Sequence, residues 1–256
     1  MGRIIAVVNQ KGGVGKTTTA VNLSASLAVA ERRTLLIDLD PQGNASSGFG
    51  LLGEEGEGSV YHVVIGKRSI PEVTRKSALA FLDIVPAGPD LSGAEIELVG
   101  MLAREKKLAV AIREVVDRYE YVLIDCPPSL GLLTVNALTA AHATLIPMTC
   151  EYYPLEGIAR LFRTMELVRA ELNPGLETAG ILLTMVDFRS NLAQQVAREV
   201  RTHFPQLVLD TMIPRNVRLS EAPSHGKPIL LYDVNSRGAV SYLDLARELM
   251  RREKGS

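Results

Sequence analysis

Residues 4–19 read IIAVVNQKGGVGKTTT, an apolar run followed by a turn with three glycines and then by a helical pattern. The glycines lack the Cβ atoms that would keep backbone N–H groups away from phosphate oxygens. A helix beginning at Lys16 adds its positive dipole end, the Lys16 ammonium adds a charge for the outer phosphates, and the Thr17 hydroxyl can bind Mg²⁺. Strand, glycine turn and helix in this order predict a nucleoside triphosphate site.

Outside this motif, short apolar runs of strand length alternate with segments of helical period. The predicted strands are 4–9, 34–38, 82–86, 121–125, 143–148, 180–185 and 208–213, and the predicted helices are 16–30, 102–119, 132–141, 155–172, 192–203 and 238–252. This alternation predicts an α/β fold with a mostly parallel twisted sheet and helices on both faces, and the glycine motif makes it a fold of the P-loop NTPase type. No repeat or linker divides the chain, so residues 1–256 are predicted to form one domain, with a surface loop at 53–58 (GEEGEG).

Composition excludes several classes of protein. With 46% hydrophobic and 22% charged residues and a net charge of −1, the chain is neither disordered nor fibrous. Its two cysteines, Cys126 and Cys150, lie in apolar runs and are too few for a disulfide framework. Cysteines of this kind fit a reducing cytoplasm. The N-terminal apolar run is too short for a membrane span and lacks a signal-peptide cleavage site, so no targeting segment is expected.

Carboxylates follow two of the predicted strands. Asp38 and Asp40 stand two apart, so they face the same side at the carboxyl edge of the sheet, where ligands bind in open α/β folds. The run YVLID at 121–125 ends in Asp125, the pattern of a Walker B strand whose acid holds Mg²⁺ through water. Spacing alone does not say which of Asp38 and Asp40 acts on the attacking water.

The glycine motif departs from the common P-loop, because Gln10 stands where that pattern has glycine and a second lysine, Lys11, opens the loop. With this departure the sequence resembles the deviant Walker A ATPases, and within them the ParA/Soj partitioning ATPases, over nearly the whole chain. The resemblance implies that Lys11 reaches across a dimer interface to the ATP of the partner subunit. A cation delivered in this way can neutralise charge that develops in phosphoryl transfer, and it makes pairing depend on ATP.

The resemblance also implies a set of site residues. Asp40 orients or activates the attacking water and acts with the catalytic lysines Lys11 and Lys16. The predicted metal site consists of Thr17 and Asp125, with Asp38 nearby at the Mg²⁺ shell. The residues predicted to bind ATP are Lys11, Gly12, Gly13, Val14, Gly15, Lys16, Thr17 and Thr18, with Pro214 and Asn216 framing the adenine.

Residues 187–256 are the more basic part of the chain. Partitioning ATPases of this kind bind double-stranded DNA without sequence preference as ATP-bound homodimers, and the matching positions here are Arg189 and Arg218. The resemblance further implies a ParB-type centromere-binding partner that stimulates hydrolysis, and a nucleoid-associated protein. No helix-turn-helix pattern precedes Ile4, so we expect no operator recognition.

Two other functions share this scaffold. A MinD-like membrane-cycling ATPase would use an amphipathic C-terminal helix, but the last predicted helix carries acids at 244, 248 and 253 and no bulky aromatic residue in its last two turns. An iron–sulfur reductase of the nitrogenase-iron-protein type would need two interface cysteines in a glycine-rich context. Neither Cys126 nor Cys150 has that context, so we expect no membrane contact and no cluster.

Overall fold

A computed structural model gives the conformation of residues 2–51, 58–150 and 154–254. The loop predicted at 53–58 lies outside the described residues, except for Gly58. Within the described part, one sheet of eight strands has the order β3-β4-β2-β5-β1-β6-β7-β8. The strands are β1 Arg3–Val7, β2 Thr34–Asp38, β3 Arg75–Lys76, β4 Leu82–Val85, β5 Tyr121–Asp125, β6 Ala143–Thr149, β7 Glu177–Val186 and β8 Val208–Pro214. Only β3 pairs antiparallel among these strands, at one edge, so the predicted α/β class is confirmed.

Helices cover both faces of this sheet. They are α1 Lys16–Val29, α2 Asn44–Ser47, α3 Val60–Val64, α4 Ile70–Val73, α5 Leu91–Val99, α6 Lys107–Arg113, α7 Leu132–Ala140, α8 Pro154–Glu171, α9 Asn191–His203, α10 Val217–Glu221, α11 Ile229–Tyr232 and α12 Arg237–Lys254. Successive strand residues face opposite sides: Ile4 and Ala6 of β1 pack against the α3–α9 layer, whereas Ile5 and Val7 pack against α1, α11 and α12. This alternation explains why the inner strands are apolar throughout.

The three central strands bring the predicted site to one edge of the sheet. β5 lies between β1 and β2, with Val7 and Asp38 both paired in register with Asp125. The glycine loop that follows β1 and the acids that end β2 and β5 therefore meet at the carboxyl edge.

The structure corrects the prediction of one long helix at 102–119. This region forms a 3₁₀ turn at Arg104–Lys106, helix α6, and a second 3₁₀ turn at Val116–Arg118. Ala103 has φ of +50°, a left-handed conformation that is incompatible with a continuous helix. Helix α5 and strand β3 were not predicted, because the first follows a Gly-Pro turn and the second has only two residues.

Edge strand β8 depends on a carboxylate from the last helix. Glu248 of α12 accepts hydrogen bonds from the backbone N–H groups of Asp210 (2.9 Å) and Thr211 (2.8 Å) and pairs with Arg252 at 2.9 Å. These N–H groups lie where the pairing of β8 with β7 shifts register. Burial alone would raise the pKa of Glu248, but the N–H donors and Arg252 hold it below its usual value.

Replacing Glu248 by glutamine should destabilise the fold by about 2 kcal/mol, because one charge-assisted acceptor is lost at a buried position. Urea unfolding at pH 7 measures this, with Glu166→Gln on the exposed side of α8 as the control, expected within about 0.5 kcal/mol of wild type. Since the folded pKa is lowered, the stabilisation is present above the unfolded pKa and is lost as pH falls through the folded one. Equal effects of both variants at pH 7 would contradict this role.

Candidate functional site

The glycine loop between β1 and α1 is shaped for phosphate. Gly13 and Gly15 have φ of +73° and +83°, which L-residues with side chains rarely adopt. Apart from its own chain neighbours, a Cβ atom built on Gly12 or Gly13 would meet no atom of the described residues within 4 Å, so both glycines border open space. Helix α1 begins directly after Gly15, whose lack of a side chain leaves the helix N-terminus without a cap from its N-cap residue. The loop therefore combines an accessible backbone with the positive end of a 14-residue helix.

Polar side chains that sequence reasoning missed hold this loop in place. The Thr184 hydroxyl of β7 donates to the Val14 carbonyl at 2.8 Å. Buried Asn9 donates to the Pro147 carbonyl at 2.8 Å and accepts from the Lys11 N–H at 3.0 Å. These contacts join the loop to β6 and β7, which lie far away in the sequence, and no local pattern could have identified them.

The two lysines of the loop occupy different environments. Lys16 is buried, 6% exposed, and its Nζ donates to the Lys11 carbonyl at 3.2 Å. Burial lowers the pKa of Lys16, while the nearby carboxylates of Asp125 and Asp40 oppose that shift. Lys11 is exposed, although its backbone is fixed at both its N–H and its carbonyl. The structure thus places Lys16 inside the site and Lys11 on its surface.

Asp125 is fully buried, and neither of its carboxylate oxygens makes a hydrogen bond of normal geometry with any residue that the structure describes. Burial, followed by the charge of Asp38, raises its pKa well above the usual value, and the nearby Thr17 hydroxyl offsets part of that rise. A buried carboxylate without partners is costly unless a cation joins it. The arrangement therefore suits a divalent cation beside Asp125 and Thr17.

Asp38 is buried beside Asp125 but is already bound by protein donors. One oxygen accepts from the N–H and the hydroxyl of Ser46, at 2.7 and 2.6 Å, and the other accepts from the Asp40 N–H at 3.2 Å. Burial raises the pKa of Asp38 to about 6 despite these bonds. Asp40, 6% exposed, accepts from the Gln42 N–H at 3.0 Å. Of the three acids, Asp125 is thus the one with no backbone donor among the described residues, and the neighbouring Thr17 hydroxyl is the protein donor beside it.

The ligand set fits magnesium better than a metal held by protein alone. Among the residues with described positions, no group of three His, Cys, Asp or Glu side chains could hold a metal ion. Mg²⁺ is commonly bound by one or two carboxylates together with water and substrate phosphates. Asp125 and Thr17, beside a phosphate-shaped loop, provide that partial set.

A cavity of about 560 Å³ adjoins the loop at Gly15 and Thr18 and extends to Pro214 and Asn216. The structure thus brings both predicted adenine-framing residues beside the phosphate loop. Asn216 also begins α10, because its side-chain oxygen accepts from the Arg218 N–H at 2.9 Å. Its amide nitrogen is accordingly the group through which Asn216 could recognise a base. Met185, not predicted, lines the same cavity with φ of +52°.

Arg189 and Arg218 follow the carboxyl ends of the neighbouring strands β7 and β8. The Arg189 side chain is 92% exposed and pairs with Asp187 at 3.2 Å. Arg218 is 55% exposed and pairs with Glu221 at 2.9 Å and Asp233 at 3.5 Å. Both predicted DNA contacts therefore lie at the carboxyl edge of the sheet. Two acids pair with Arg218 and one pairs with Arg189, so more of the charge is offset at Arg218.

Comparison with known proteins agrees with this geometry. Residues 2–178 match the family model described as an AAA domain. The chain is 57% identical over 253 residues to the chromosome partitioning protein ParA of Myxococcus xanthus, covering 99% of this chain and 89% of that protein. It is 51% identical to the chromosome-partitioning ATPase Soj of Treponema pallidum, covering 99% of each. The chain belongs to the ParA/Soj family of partitioning ATPases.

A solved structure also resembles this ParA/Soj family member throughout its length. Cobyrinic acid a,c-diamide synthase from Mycobacterium smegmatis, with a bound ATP analogue and magnesium, has a TM-score of 0.87 and 35% identity. The match covers 99% of this chain and 96% of that one. It confirms the predicted P-loop NTPase type of fold.

The features on which the rival functions depend are buried in this family member. Tyr242, Leu245 and Leu249, on the apolar face of α12, are at most 3% exposed and pack in the core with α1. None of the helices in the described ranges is long and apolar enough to cross a membrane. Cys126 and Cys150 are both buried, and burial raises the pKa of each thiol.

Proposed function

We propose that this ParA/Soj protein binds ATP and Mg²⁺, pairs with a second copy across the bound nucleotide, and holds double-stranded DNA until hydrolysis releases it. A ParB-type partner would stimulate that hydrolysis. The observation that carries the proposal is the open glycine loop beside Asp125, a buried carboxylate whose oxygens make no hydrogen bond of normal geometry within the described part of the chain. Membership of the ParA/Soj family supports the proposal that ATP binding and hydrolysis serve partitioning.

In this proposal each group of the site has one task. The glycine loop and the α1 N-terminus bind the phosphates, and Lys16 stabilises the charge of the outer ones. Bound Mg²⁺ would supply further charge neutralisation, with Thr17 and Asp125 as the residues that hold it. Asp40 orients the attacking water, and Asp38 holds Asp40 in place by accepting a hydrogen bond from its N–H.

Lys11 would act on the nucleotide of the other subunit. Its backbone is fixed by Asn9 and Lys16 while its side chain is exposed, which is the arrangement needed to present an ammonium outward from a rigid loop. An ammonium delivered by the partner neutralises charge only when two copies meet, so pairing and ATP are linked.

DNA binding would follow from pairing. One copy offers a small basic surface around Arg189 and Arg218, whereas two copies double the phosphate contacts. A dimer with ~6 contacts should give log K against log salt a slope of roughly −5. We expect retention of duplex DNA with ATP and weak retention with ADP or without nucleotide, measured across a salt series. Equal binding in all three states would overturn the proposed switch.

Replacing Arg189 by glutamate should weaken DNA retention at least ~10-fold with ATP and reduce the salt slope by about 2, because a dimer loses two phosphate contacts. ATP-driven pairing should persist, since the side chain is 92% exposed and paired with Asp187. Arg189 is a better test than Arg218, whose reversal would also break contacts with Glu221 and Asp233.

The matched control for this charge reversal is Arg251→Glu. Arg251 is exposed near the end of α12, and the adjacent turn of that helix contacts Arg3 and Tyr121 at the amino edge of the sheet. The control should retain DNA as wild type does. An equal loss in both variants would mean that net charge, and not a local surface, governs retention.

A further inference from the structure

A second cavity, of about 430 Å³, lies away from the nucleotide site between α3, α4 and α6. Lys67, Arg68, Lys106 and Lys107 line it together with two acids, Glu72 and Glu114. Glu72 is engaged locally, because it accepts hydrogen bonds from the N–H and the hydroxyl of Ser69. We name this cavity the basic groove. Its excess of cations favours a ligand that carries carboxylates or phosphates.

Large aliphatic side chains stand exposed next to this groove. Ile96 and Val99 lie one turn apart on α5 and are 79% and 60% exposed. Leu102, just after α5, is 91% exposed, and Val110, which also lines the groove, is 57% exposed. Singly exposed aliphatic residues are ordinary, but a group of four beside one cavity marks an interaction surface.

The segment that carries Leu102 is held firmly in this exposed position. Arg104 donates to the Val99 carbonyl at 2.8 Å, and Asn136 of α7 donates to the Arg104 carbonyl at 2.8 Å. Ala103, between Leu102 and the 3₁₀ turn, has φ of +50°, a strained conformation for a residue with a side chain. Such strain persists only where surrounding contacts impose it, and it is concentrated at functional positions.

Side-chain contacts connect α5 to the rim of the basic groove. The Tyr61 hydroxyl of α3 donates to Glu97 of α5 at 2.7 Å, and the Lys67 ammonium lies 5.8 Å from the centre of the Tyr61 ring. Helix α5 thus adjoins the rim of the basic groove through Tyr61, and Leu102 directly precedes Ala103, which lines the groove. Helix α4, which also lines the groove, leads directly into edge strand β3. Arg189 and Arg218 are at the opposite side, beyond β7 and β8.

We propose that this surface docks an amphipathic helical segment of a partner protein, with aliphatic residues on one face and carboxylates along its flank. The aliphatic face would cover Ile96, Val99 and Leu102, and the carboxylates would meet Lys67, Lys106 and Lys107. Exposed aliphatic residues add nothing to binding a nucleic-acid backbone, so a protein partner explains both halves of the surface. This inference extends beyond the proposed nucleotide switch and needs none of its parts.

The probe is a fluorescein-labelled helical 16-residue peptide with leucines on one face and glutamates beside them. Fluorescence anisotropy without nucleotide should give a Kd of about 50 μM. A peptide with lysine at every glutamate should bind at least ~10-fold more weakly. Leu102→Asp and the double variant Lys106→Glu/Lys107→Glu should each weaken binding of the acidic peptide at least ~10-fold. Leu167→Asp and Arg198→Glu, on exposed faces of α8 and α9, are the matched controls and should bind as wild type does.

Several outcomes would overturn the proposal. These are no binding of the acidic peptide, equal affinity for the lysine peptide, or losses in the controls as large as in the test variants. Binding of a 24-base-pair duplex that depends on Lys106 and Lys107 would assign the groove to nucleic acid instead. Since Lys107 is half-buried and the other substituted positions are exposed, thermal unfolding of every variant should remain within about 2 °C of wild type, which confirms that the fold is intact.

Discussion

Replacing Lys11 by alanine is expected to leave ATP binding within about threefold of wild type while abolishing ATP-driven pairing. Partner-stimulated hydrolysis should fall by at least ~100-fold, the scale on which a cation supplied in trans acts in phosphoryl transfer. Nucleotide binding survives because Asn9 and Lys16 hold the backbone of residue 11 through its N–H and carbonyl, which alanine keeps. Sedimentation with ATP measures pairing, and phosphate release measures turnover.

The control for this experiment is Lys16→Ala. Lys16 is buried among the acids of the site, so its removal should abolish ATP binding itself, and pairing would be lost as a consequence. The two variants therefore separate the roles of the lysines. Lys11→Ala should bind nucleotide but remain a monomer, whereas Lys16→Ala should not bind nucleotide. If Lys11→Ala pairs and hydrolyses ATP as wild type does, the nucleotide is handled within one subunit.

Much of the fold could be predicted because the central strands are apolar on both faces. The strands at 34–38 and 121–125 match the structure at both ends, and their final acids stand beside each other as expected. The glycine motif gave the position of the site, since its geometry depends on residues adjacent in sequence. Whether the chain forms a single domain, as expected for 1–256, stays a prediction.

The remaining parts of the site depend on contacts between residues far apart in the chain. Thr184 holds Val14 across 170 positions. Ser46 binds Asp38 and also accepts from the Ala87 N–H at 3.0 Å, which joins the ends of β2 and β4. Threonine and serine occur at many surface positions, so neither is recognisable without the fold. Similarly, the helix break at Ala103 could not be predicted, because no glycine or proline stands at that position.

Replacing Asp40 by alanine is expected to preserve ATP-driven pairing and to slow hydrolysis by at least ~100-fold, so that the protein stays on DNA. Pairing should therefore persist in Asp40→Ala, whereas Lys11→Ala should abolish it. In the proposed mechanism the carboxylate acts on water after two copies have paired, and the lysine is needed for the pairing itself. We assign this role to Asp40 and not to Asp38, because both oxygens of Asp38 already accept hydrogen bonds, from Ser46 and from the Asp40 N–H. Dissociation from a DNA-coated surface after ATP is washed out measures the residence time.

Asp38→Asn is the variant that separates chemistry from architecture. An asparagine has one acceptor oxygen where Asp38 uses two, so one donor, from Ser46 or Asp40, loses its partner. We expect this variant to be destabilised by about 1–3 kcal/mol in urea unfolding without nucleotide, whereas Asp40→Ala should change stability by less. A variant of Asp38 that is as stable as wild type but locked on DNA would transfer the water-orienting role from Asp40 to Asp38. Since Asp38 ends β2 and Asp40 stands only two residues later, this pair of measurements distinguishes the residue that touches water from the one that holds its neighbour in place.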